Sequence, residues 1–184
     1  MNAPISSFTP SVLAESAAAR VSLAAPCARL SLRARGDLAP LNTALGLTLP
    51  PRIGQRAQSG ETQALCLGPD EWMLQAPETL APGTQAACDE VYGTLPHSLV
   101  DVSGREVTFE ISGPRAVDLL TLGMPRNPDS IAVGEGRRIN FDGVTVLLWR
   151  DGESAFRMDV WHSFAPHVLH LLETGVRELA AEAA

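Results

Sequence analysis

Lysine is missing from this sequence: all 14 basic residues are arginine. The absence excludes mechanisms that depend on a lysine amine, including Schiff-base formation and the phosphate contact of a P-loop lysine. With 21 acidic residues, the formal net charge is −7 when histidine is counted as neutral. Proteins that bind nucleic acid present a basic surface to the phosphate backbone. The acidic balance therefore disfavours nucleic acid as a partner.

Cysteine is also scarce. Cys27, Cys66 and Cys88 are odd in number, lie far apart and form no CxxC pair. This usage disfavours a disulfide framework or a zinc ribbon, and it predicts small buried apolar groups in a reducing compartment. The sequence has no run of about 18 apolar residues and no basic segment ahead of an apolar N-terminal stretch. We therefore expect a cytoplasmic protein without a membrane span or a signal peptide.

The 184 residues, 45% of them apolar, suffice for one globular domain or two small lobes. Residues 1–26 are rich in Ala, Ser and Pro, which predicts an extended or disordered N-terminal arm. Beyond them, patterns of period two and of helical period alternate along the chain, which predicts an α+β fold. We expect a first lobe over 27–96 and a second over 97–184, packed as one unit.

The hydrophobic patterns and turn residues place the individual elements. Strands are predicted over 28–35, 62–67, 71–75, 98–102, 106–111, 138–141, 144–150 and 155–161. Helices are predicted between Asp37 and Gly46, over 84–95, over 114–123 and over 164–180. The last helix is predicted to have one apolar face, formed by Phe164, Val168, Leu172, Val176 and Leu179. The stretch 50–61, which begins with two prolines and continues with polar residues, is predicted to be a loop.

An internal repeat is indicated by residues 28–46, which align without gaps on residues 105–123. Gly36 falls on Gly113, and the final glycines of the two segments also coincide. Each segment has the pattern strand, glycine, helix, glycine. The repeat predicts two lobes of similar fold, each with helices on one face of a mostly antiparallel sheet.

The sequence offers few groups with the spacing of a reactive site. His167 and His170 share one face of the last predicted helix, followed by Glu173, but no second helix offers further metal ligands. We expect a solvated polar face there. Ser112, before Gly113 and Pro114, fits a helix start better than a nucleophile elbow. We predict no catalytic, cofactor-binding or metal site.

Two further groups have structural interpretations. Asp101 and Arg105 flank a predicted turn, where we expect a charge-assisted pair. Trp72, Trp149 and Trp161 lie on predicted strands, and we expect each to anchor either the core or an interface.

Several segments together resemble one known family. They are LGPDEWML at 67–74, DVSGR at 101–105, SGPRA at 112–116 with Leu119 and Leu120, and RMDVWHSFA at 157–165. In this order and spacing they resemble the gamma subunit of heterotetrameric sarcosine oxidase, over about residues 28 to 180. His162 stands where an arginine is expected in that family.

The resemblance implies a complex of four different subunits that oxidatively demethylates sarcosine. The products would be glycine and hydrogen peroxide, with the methyl carbon released as formaldehyde or passed on as 5,10-methylenetetrahydrofolate. It implies alpha, beta and delta subunits as partners, and places FAD, FMN, NAD, tetrahydrofolate and zinc on those subunits, with none on this chain. It also implies a fold similar to the aminomethyltransferase and folate-binding group, in agreement with the two-lobed α+β prediction.

The hypothesis that follows is a noncatalytic subunit that acts in assembly and stability and is inactive alone. Because tryptophan and arginine are common interface anchors, the interface candidates are Trp72, Arg105, Arg157 and Trp161. The alternative is a free-standing folate-dependent one-carbon carrier or transferase. Against it, the chain is about half as long as a full aminomethyltransferase. It also cannot contain the lysine-bearing K-G-C-Y-x-G-Q-E signature of the folate-binding relatives.

Overall fold

The structure is a computed structural model that describes residues 9–182. The chain divides into two compact units. The central unit is Pro26–Gly104, and the terminal unit combines the residues up to Ala25 with those from Arg105 onward. The structure therefore differs from the predicted division into an arm and two consecutive lobes.

The elements are numbered in chain order. The strands are β1 (Ser11–Glu15), β2 (Arg20–Leu23), β3 (Ala28–Ala34), β4 (Arg56–Ser59), β5 (Thr62–Gly68), β6 (Glu71–Ala76), β7 (His97–Asp101), β8 (Glu106–Ser112), β9 (Gly136–Phe141), β10 (Val144–Gly152) and β11 (Ala155–Trp161). The α-helices are α1 (Ala39–Leu45), α2 (Ala81–Val91), α3 (Ala116–Thr121) and α4 (Ala165–Glu182).

Within the described residues, the central unit holds a five-stranded antiparallel sheet in the order β4-β5-β6-β3-β7. The predicted alternation of β3 is confirmed, because Leu30 and Leu32 are buried in a core that also includes residues of α1 and α2. At the start of α1, the Asp37 carboxylate accepts a hydrogen bond from the Ala39 N–H at 3.0 Å. The helix ends at Gly46, which adopts a left-handed φ of +59° as predicted for a C-terminal glycine.

The terminal unit holds a six-stranded antiparallel sheet in the order β1-β2-β8-β11-β10-β9, again counted within residues 9–182. One face of this sheet is apolar: Phe109, Met158 and Leu148 lie side by side on three neighbouring strands and are fully buried. α4 contributes Val168 and Leu172 to the same core, in agreement with the predicted apolar face of the last helix. The predicted α+β fold is confirmed.

The two units repeat one arrangement. β3, β4, β5 and β6 occupy the same relative places in their sheet as β8, β9, β10 and β11, and α1 and α2 correspond to α3 and α4 in chain order. Gly36 and Gly113, aligned by the sequence repeat, follow the first strand of each set with φ of +100° and +119°. Glycine adopts such values without the steric cost that a Cβ imposes. The internal repeat is therefore also a repeat of structure.

The two units differ in the additional strand that pairs with the first strand of the repeat, which is β3 in the central unit and β8 in the terminal unit. β7, which follows α2, pairs with β3, whereas β2 from the N-terminal region pairs with β8. Residues 97–101, predicted to open the second lobe, thus belong to the central unit. Residues 11–23, predicted to lie in an extended or disordered arm, contain β1 and β2. The physical reason is that the backbone edge of β8 needs hydrogen-bond partners, and β2 supplies them while burying Val21 and Leu23.

The N-terminal hairpin passes close to the start of α3. The turn between β1 and β2 is closed by the Ser16 hydroxyl, which accepts hydrogen bonds from the N–H groups of Ala18 (3.2 Å) and Ala19 (3.3 Å). Ala18 O in turn accepts from the Arg115 N–H at 2.9 Å. A Cβ added to Gly113 would lie 2.8 Å from Ala18 O and 2.9 Å from Ala19 Cα. A side chain at position 113 is therefore incompatible with this approach of two backbones.

Smaller differences concern the central unit. β4 lies in the stretch predicted to be a loop. The sequence did not indicate this strand because it is a short edge strand of polar residues, which pairs only with β5 among the described strands. α2 begins at Ala81 and ends at Val91, earlier than predicted at both ends. A proline near its first turn explains the early start.

Replacing Gly113 with alanine is expected to destabilise the protein strongly. Positive φ costs an L-residue about 1–2 kcal/mol, and the clash with the Ala18–Ala19 backbone adds to that cost. We expect the unfolding free energy from urea titration to fall by about 3 kcal/mol or more. Gly36→Ala is the matched control, since its Cβ would meet nothing nearer than Leu95 Cδ1 at 3.7 Å. Equal losses in the two variants would contradict the close approach.

Candidate interaction surface

An exposed aromatic pair marks the connection from β11 to α4. Trp161 and Phe164 are each 46% exposed. Their backbone is fixed, because the Phe164 N–H donates to Trp161 O at 2.8 Å and the His162 N–H donates to Arg105 O at 2.9 Å. The two rings are thus apolar groups carried on an ordered turn.

Arg105 completes this surface. Its guanidinium lies over the Trp161 ring, 5.1 Å from the ring centroid, and Nη2 donates to Glu106 Oε1 at 2.9 Å. Glu106 is buried and sits directly opposite Trp161 in the β8–β11 ladder. The indole is therefore held between its strand and a stacked cation, a contact that contributes about 0.5–1 kcal/mol at an exposed site. Arg105, Trp161 and Phe164 are called the Trp161 patch below.

Arg157, the third interface candidate, has a structural role instead. Its guanidinium stacks on the Trp149 ring, 5.0 Å from the centroid. It also donates to both carboxylate oxygens of Asp151, from Nε at 2.7 Å and from Nη2 at 3.1 Å. A bidentate pair of this kind fixes the side chain in one geometry. Arg157 thus ties β11 to the end of β10.

Trp72 was predicted as an interface candidate, and the structure corrects this interpretation. Its side chain is buried in the core of the central unit, opposite Leu32 and Cys66 on the neighbouring strands. Its indole N–H donates to Pro50 O at 2.8 Å. A buried indole with its one donor satisfied is a packing residue. The structure therefore brings together two of the four candidates, Arg105 and Trp161.

A buried polar cluster on β8, β10 and β11 was missed by the sequence analysis. Asp159 is 1% exposed. Its carboxylate accepts hydrogen bonds from the Trp149 indole N–H at 2.7 Å and from the Thr108 hydroxyl. Because a buried carboxylate is stable only when hydrogen-bonded or paired, these contacts explain its place on an internal strand. The sequence gives no signal for this, since the three residues lie on separate strands.

The histidines and Asp101 are engaged in local contacts. His167 Nε2 lies 2.9 Å from Asp142 Oδ2. Residues 9–182 contain no group of three or more His, Cys, Asp or Glu side chains that could hold a metal ion. Asp101, predicted to pair with Arg105, instead accepts hydrogen bonds from the Ser103 N–H (2.9 Å) and hydroxyl (2.5 Å). The Ser103 hydroxyl lowers the pKa of Asp101 below its usual value.

Cys66 and Cys88 are buried and free, as predicted, whereas Cys27 is only partly buried. Burial raises the pKa of the Cys66 thiol, and it raises the pKa of Cys88 to about 11. Since the thiolate is the reactive form, both groups stay protonated and inert near neutral pH. Over the described part of the chain, no helix is both long enough and apolar enough to cross a membrane.

Comparison with known proteins identifies a family. Residues 35–178 match the model of the sarcosine oxidase, gamma subunit family. The chain is 34% identical over 152 residues to sarcosine oxidase subunit gamma of Corynebacterium sp. (strain P-1), covering 80% of this chain and 73% of the relative. It is also 34% identical over 146 residues to the corresponding subunit of Arthrobacter sp., covering 78% and 71%.

Solved structures agree with the sequence match. A chain of the heterotetrameric sarcosine oxidase from Corynebacterium sp. U-96, in complex with pyrrole 2-carboxylate, superposes with a TM-score of 0.79 at 30% identity. The match covers 91% of this chain and 88% of that one. Aminomethyltransferase T of the glycine cleavage system from Bartonella henselae gives a TM-score of 0.60 at 18% identity, over 79% of this chain and 43% of that one. This second similarity concerns the fold alone.

The different placement of the two tryptophans predicts different effects on stability. Trp72→Ala should lower the unfolding free energy by about 3–5 kcal/mol, because it empties a buried site. Trp161→Ala should lower it by less than about 1 kcal/mol, since the ring is half exposed and loses mainly the Arg105 contact. Urea titration followed by circular dichroism measures both values. A large loss for Trp161→Ala would show that the patch is part of the core.

Cys88 should make the stability fall at alkaline pH. In the folded state the thiol keeps its proton up to a pKa of about 11, whereas the ordinary pKa of a thiol is 9.0. Unfolding free energy is therefore unaffected below pH 9 and falls as the pH rises toward 11. By pH 10 the loss should be about 1 kcal/mol. The absence of lysine removes one of the side-chain types that ordinarily titrate in this range.

The measurement is urea titration of the wild type and of Cys88→Ala at pH 8 and pH 10. Between pH 8 and pH 10, the unfolding free energy of the wild type should fall more than that of Cys88→Ala. A difference that stays constant with pH would contradict a perturbed Cys88 thiol.

Proposed function

Because this chain belongs to the sarcosine oxidase gamma subunit family, we propose that it acts as the noncatalytic gamma subunit of a heterotetrameric sarcosine oxidase. The similarity to a chain of one such heterotetramer, extending along most of both chains, carries the proposal. In this role the chain joins alpha, beta and delta subunits in the cytoplasm. The complex demethylates sarcosine oxidatively to glycine and hydrogen peroxide, and gives formaldehyde or 5,10-methylenetetrahydrofolate.

The proposed contribution of this chain is assembly and stability. We propose that FAD, FMN, NAD, tetrahydrofolate and zinc are held by the other subunits, as the family resemblance implies. The bidentate pairing of Arg157 with Asp151 supports a structural role for that side chain. A subunit that binds only the assembled state stabilises it by mass action.

The Trp161 patch is the proposed anchor for a larger subunit. Tryptophan and arginine dominate the energetics of many interfaces, and both are exposed here on an ordered turn. Rigid aromatic groups lose little conformational entropy on binding, which favours affinity. Phe164, which the sequence analysis assigned to the apolar face of the last helix, extends the same surface.

The alternative function is that of a free-standing folate-dependent one-carbon carrier or transferase. This chain shares its fold with part of aminomethyltransferase T. The similarity covers less than half of that enzyme and shows no shared chemistry. The lysine-bearing signature of the folate-binding relatives is excluded by the composition. Fold alone does not assign function, so direct titration of the isolated chain with tetrahydrofolate separates the two proposals.

The proposal is tested by co-expressing the tagged chain with the other three subunits, followed by size exclusion, flavin absorbance and a sarcosine-dependent peroxide assay. We expect one flavin-bearing peak that contains all subunits, and an isolated chain that is colourless and inactive. Trp161→Ala should reduce the gamma content per flavin at least severalfold while turnover per assembled complex stays unchanged, because the ring anchors the subunit but touches no reacting group.

Tyr92→Ala is the matched control, since Tyr92 is an aromatic residue 54% exposed in the central unit. It should leave the gamma content unchanged. A wild-type chain that does not associate with the other subunits, or that binds tetrahydrofolate tightly alone, would refute the noncatalytic subunit. A Trp161→Ala variant that assembles normally but abolishes turnover would refute the anchoring role.

A further inference from the structure

The Arg105 guanidinium has hydrogen-bonding capacity to spare. One planar face of the guanidinium stacks on the Trp161 ring, and one Nη2 N–H donates to Glu106 Oε1. In the described part of the chain, it donates to no other acceptor. Its side chain is 40% exposed, whereas that of Glu106 is 4% exposed. The remaining N–H donors therefore form a fixed, solvent-accessible edge of a guanidinium whose orientation is already determined by stacking.

A guanidinium edge held in this way suits a carboxylate. Arginine presents parallel N–H donors that match the two oxygens of a carboxylate, and stacking on an aromatic ring leaves this edge available. Beside it, Trp161 and Phe164 present apolar surface on the same ordered turn. The patch thus combines a directional positive donor with two fixed apolar rings.

Resting on the proposed function, we infer that the Trp161 patch recognises a carboxylate at the rim of an apolar cleft on another subunit of the complex. Trp161 and Phe164 enter the cleft, and the carboxylate binds the free edge of Arg105. The site favours an acidic side chain or a C-terminal carboxylate over a neutral acceptor, since a hydrogen bond between two ionised groups is stronger than one to a neutral oxygen.

A second copy of this chain does not fit the patch. A two-fold symmetric contact must be self-complementary, so the patch itself would have to supply the carboxylate. Residues 161–172 contain no aspartate or glutamate. Glu106 is buried and already accepts from Arg105. A symmetric dimer therefore does not supply the carboxylate, and we assign it to a different protein.

The missing lysines allow a direct test. Arg105→Lys introduces one side-chain amine into a chain that otherwise has none. A carbodiimide joins an amine to a carboxylate with which it is in contact, forming an amide without a spacer. The variant is co-expressed with the other three subunits, the purified complex is treated with carbodiimide, and the peptides are analysed by mass spectrometry. We expect an amide between position 105 and an acidic residue or C-terminus of another subunit.

Arg177→Lys is the matched control, because Arg177 is an exposed arginine of the same unit on α4. It should give no such product. Amides at both positions, no intersubunit amide at position 105 of an assembled complex, or an amide to a second copy of this chain would each overturn the inference. Failure of the wild-type chain to join the complex would instead overturn the proposed function.

A binding measurement separates carboxylate recognition from support of the Trp161 ring. Arg105→Met keeps an apolar stem for the indole but has no donor. We expect it to raise the apparent Kd for the rest of the complex about 30-fold or more at low salt, and to weaken the dependence of Kd on salt. An unchanged Kd, or a loss with the salt dependence intact, would contradict a carboxylate at Arg105.

Discussion

The hydrogen-bonded ladder between β2 and β8 is the interaction on which the terminal unit depends. β8 lies between β2 and β11, so it needs partners on both edges. β11 ends at Trp161, and the residue opposite Trp161 is Glu106, the first of β8. The strand that fixes the patch is therefore itself fixed by residues near the N-terminus. The hairpin pairs with the last four residues of β8, whereas the patch lies opposite Glu106 at the other end of the same strand.

Hydrophobic periodicity predicted most of this fold, and the failures have a common cause. Long elements such as β10 and α4 carry enough alternating or helical positions to be recognised. β2 has only four residues, with Val21 and Leu23 as its buried positions. A pattern this short occurs often by chance. Its pairing with β8, more than 80 residues away, is decided by the unfilled edge of that strand, which no local window contains.

Residue type was enough to nominate Arg105 and Trp161 as interface candidates, but the sequence did not show which of the candidate side chains are buried. Trp72 and Trp161 both lie on predicted strands, so neither residue type nor predicted secondary structure distinguishes them. β6 is buried on both faces, so Trp72 is enclosed whichever way it points. Trp161 stands at the last position of β11, where the core ends and the chain turns. Phe164 was assigned to the helix face by spacing, yet it precedes the first residue of α4 and faces away from the core.

The internal repeat shows that the patch is not a property of the fold itself. In the aligned register Arg29 corresponds to Glu106, and the residue paired with Arg29 on β6 is Gln75. Arg29 and Gln75 are both buried. In the terminal unit, the residue opposite Glu106 is Trp161, which is exposed. Corresponding strands thus carry a buried pair of polar residues in one unit and an exposed tryptophan in the other. The proposed capacity to bind a partner resides in side chains at one strand end, so fold similarity to an enzyme carries no argument for shared chemistry.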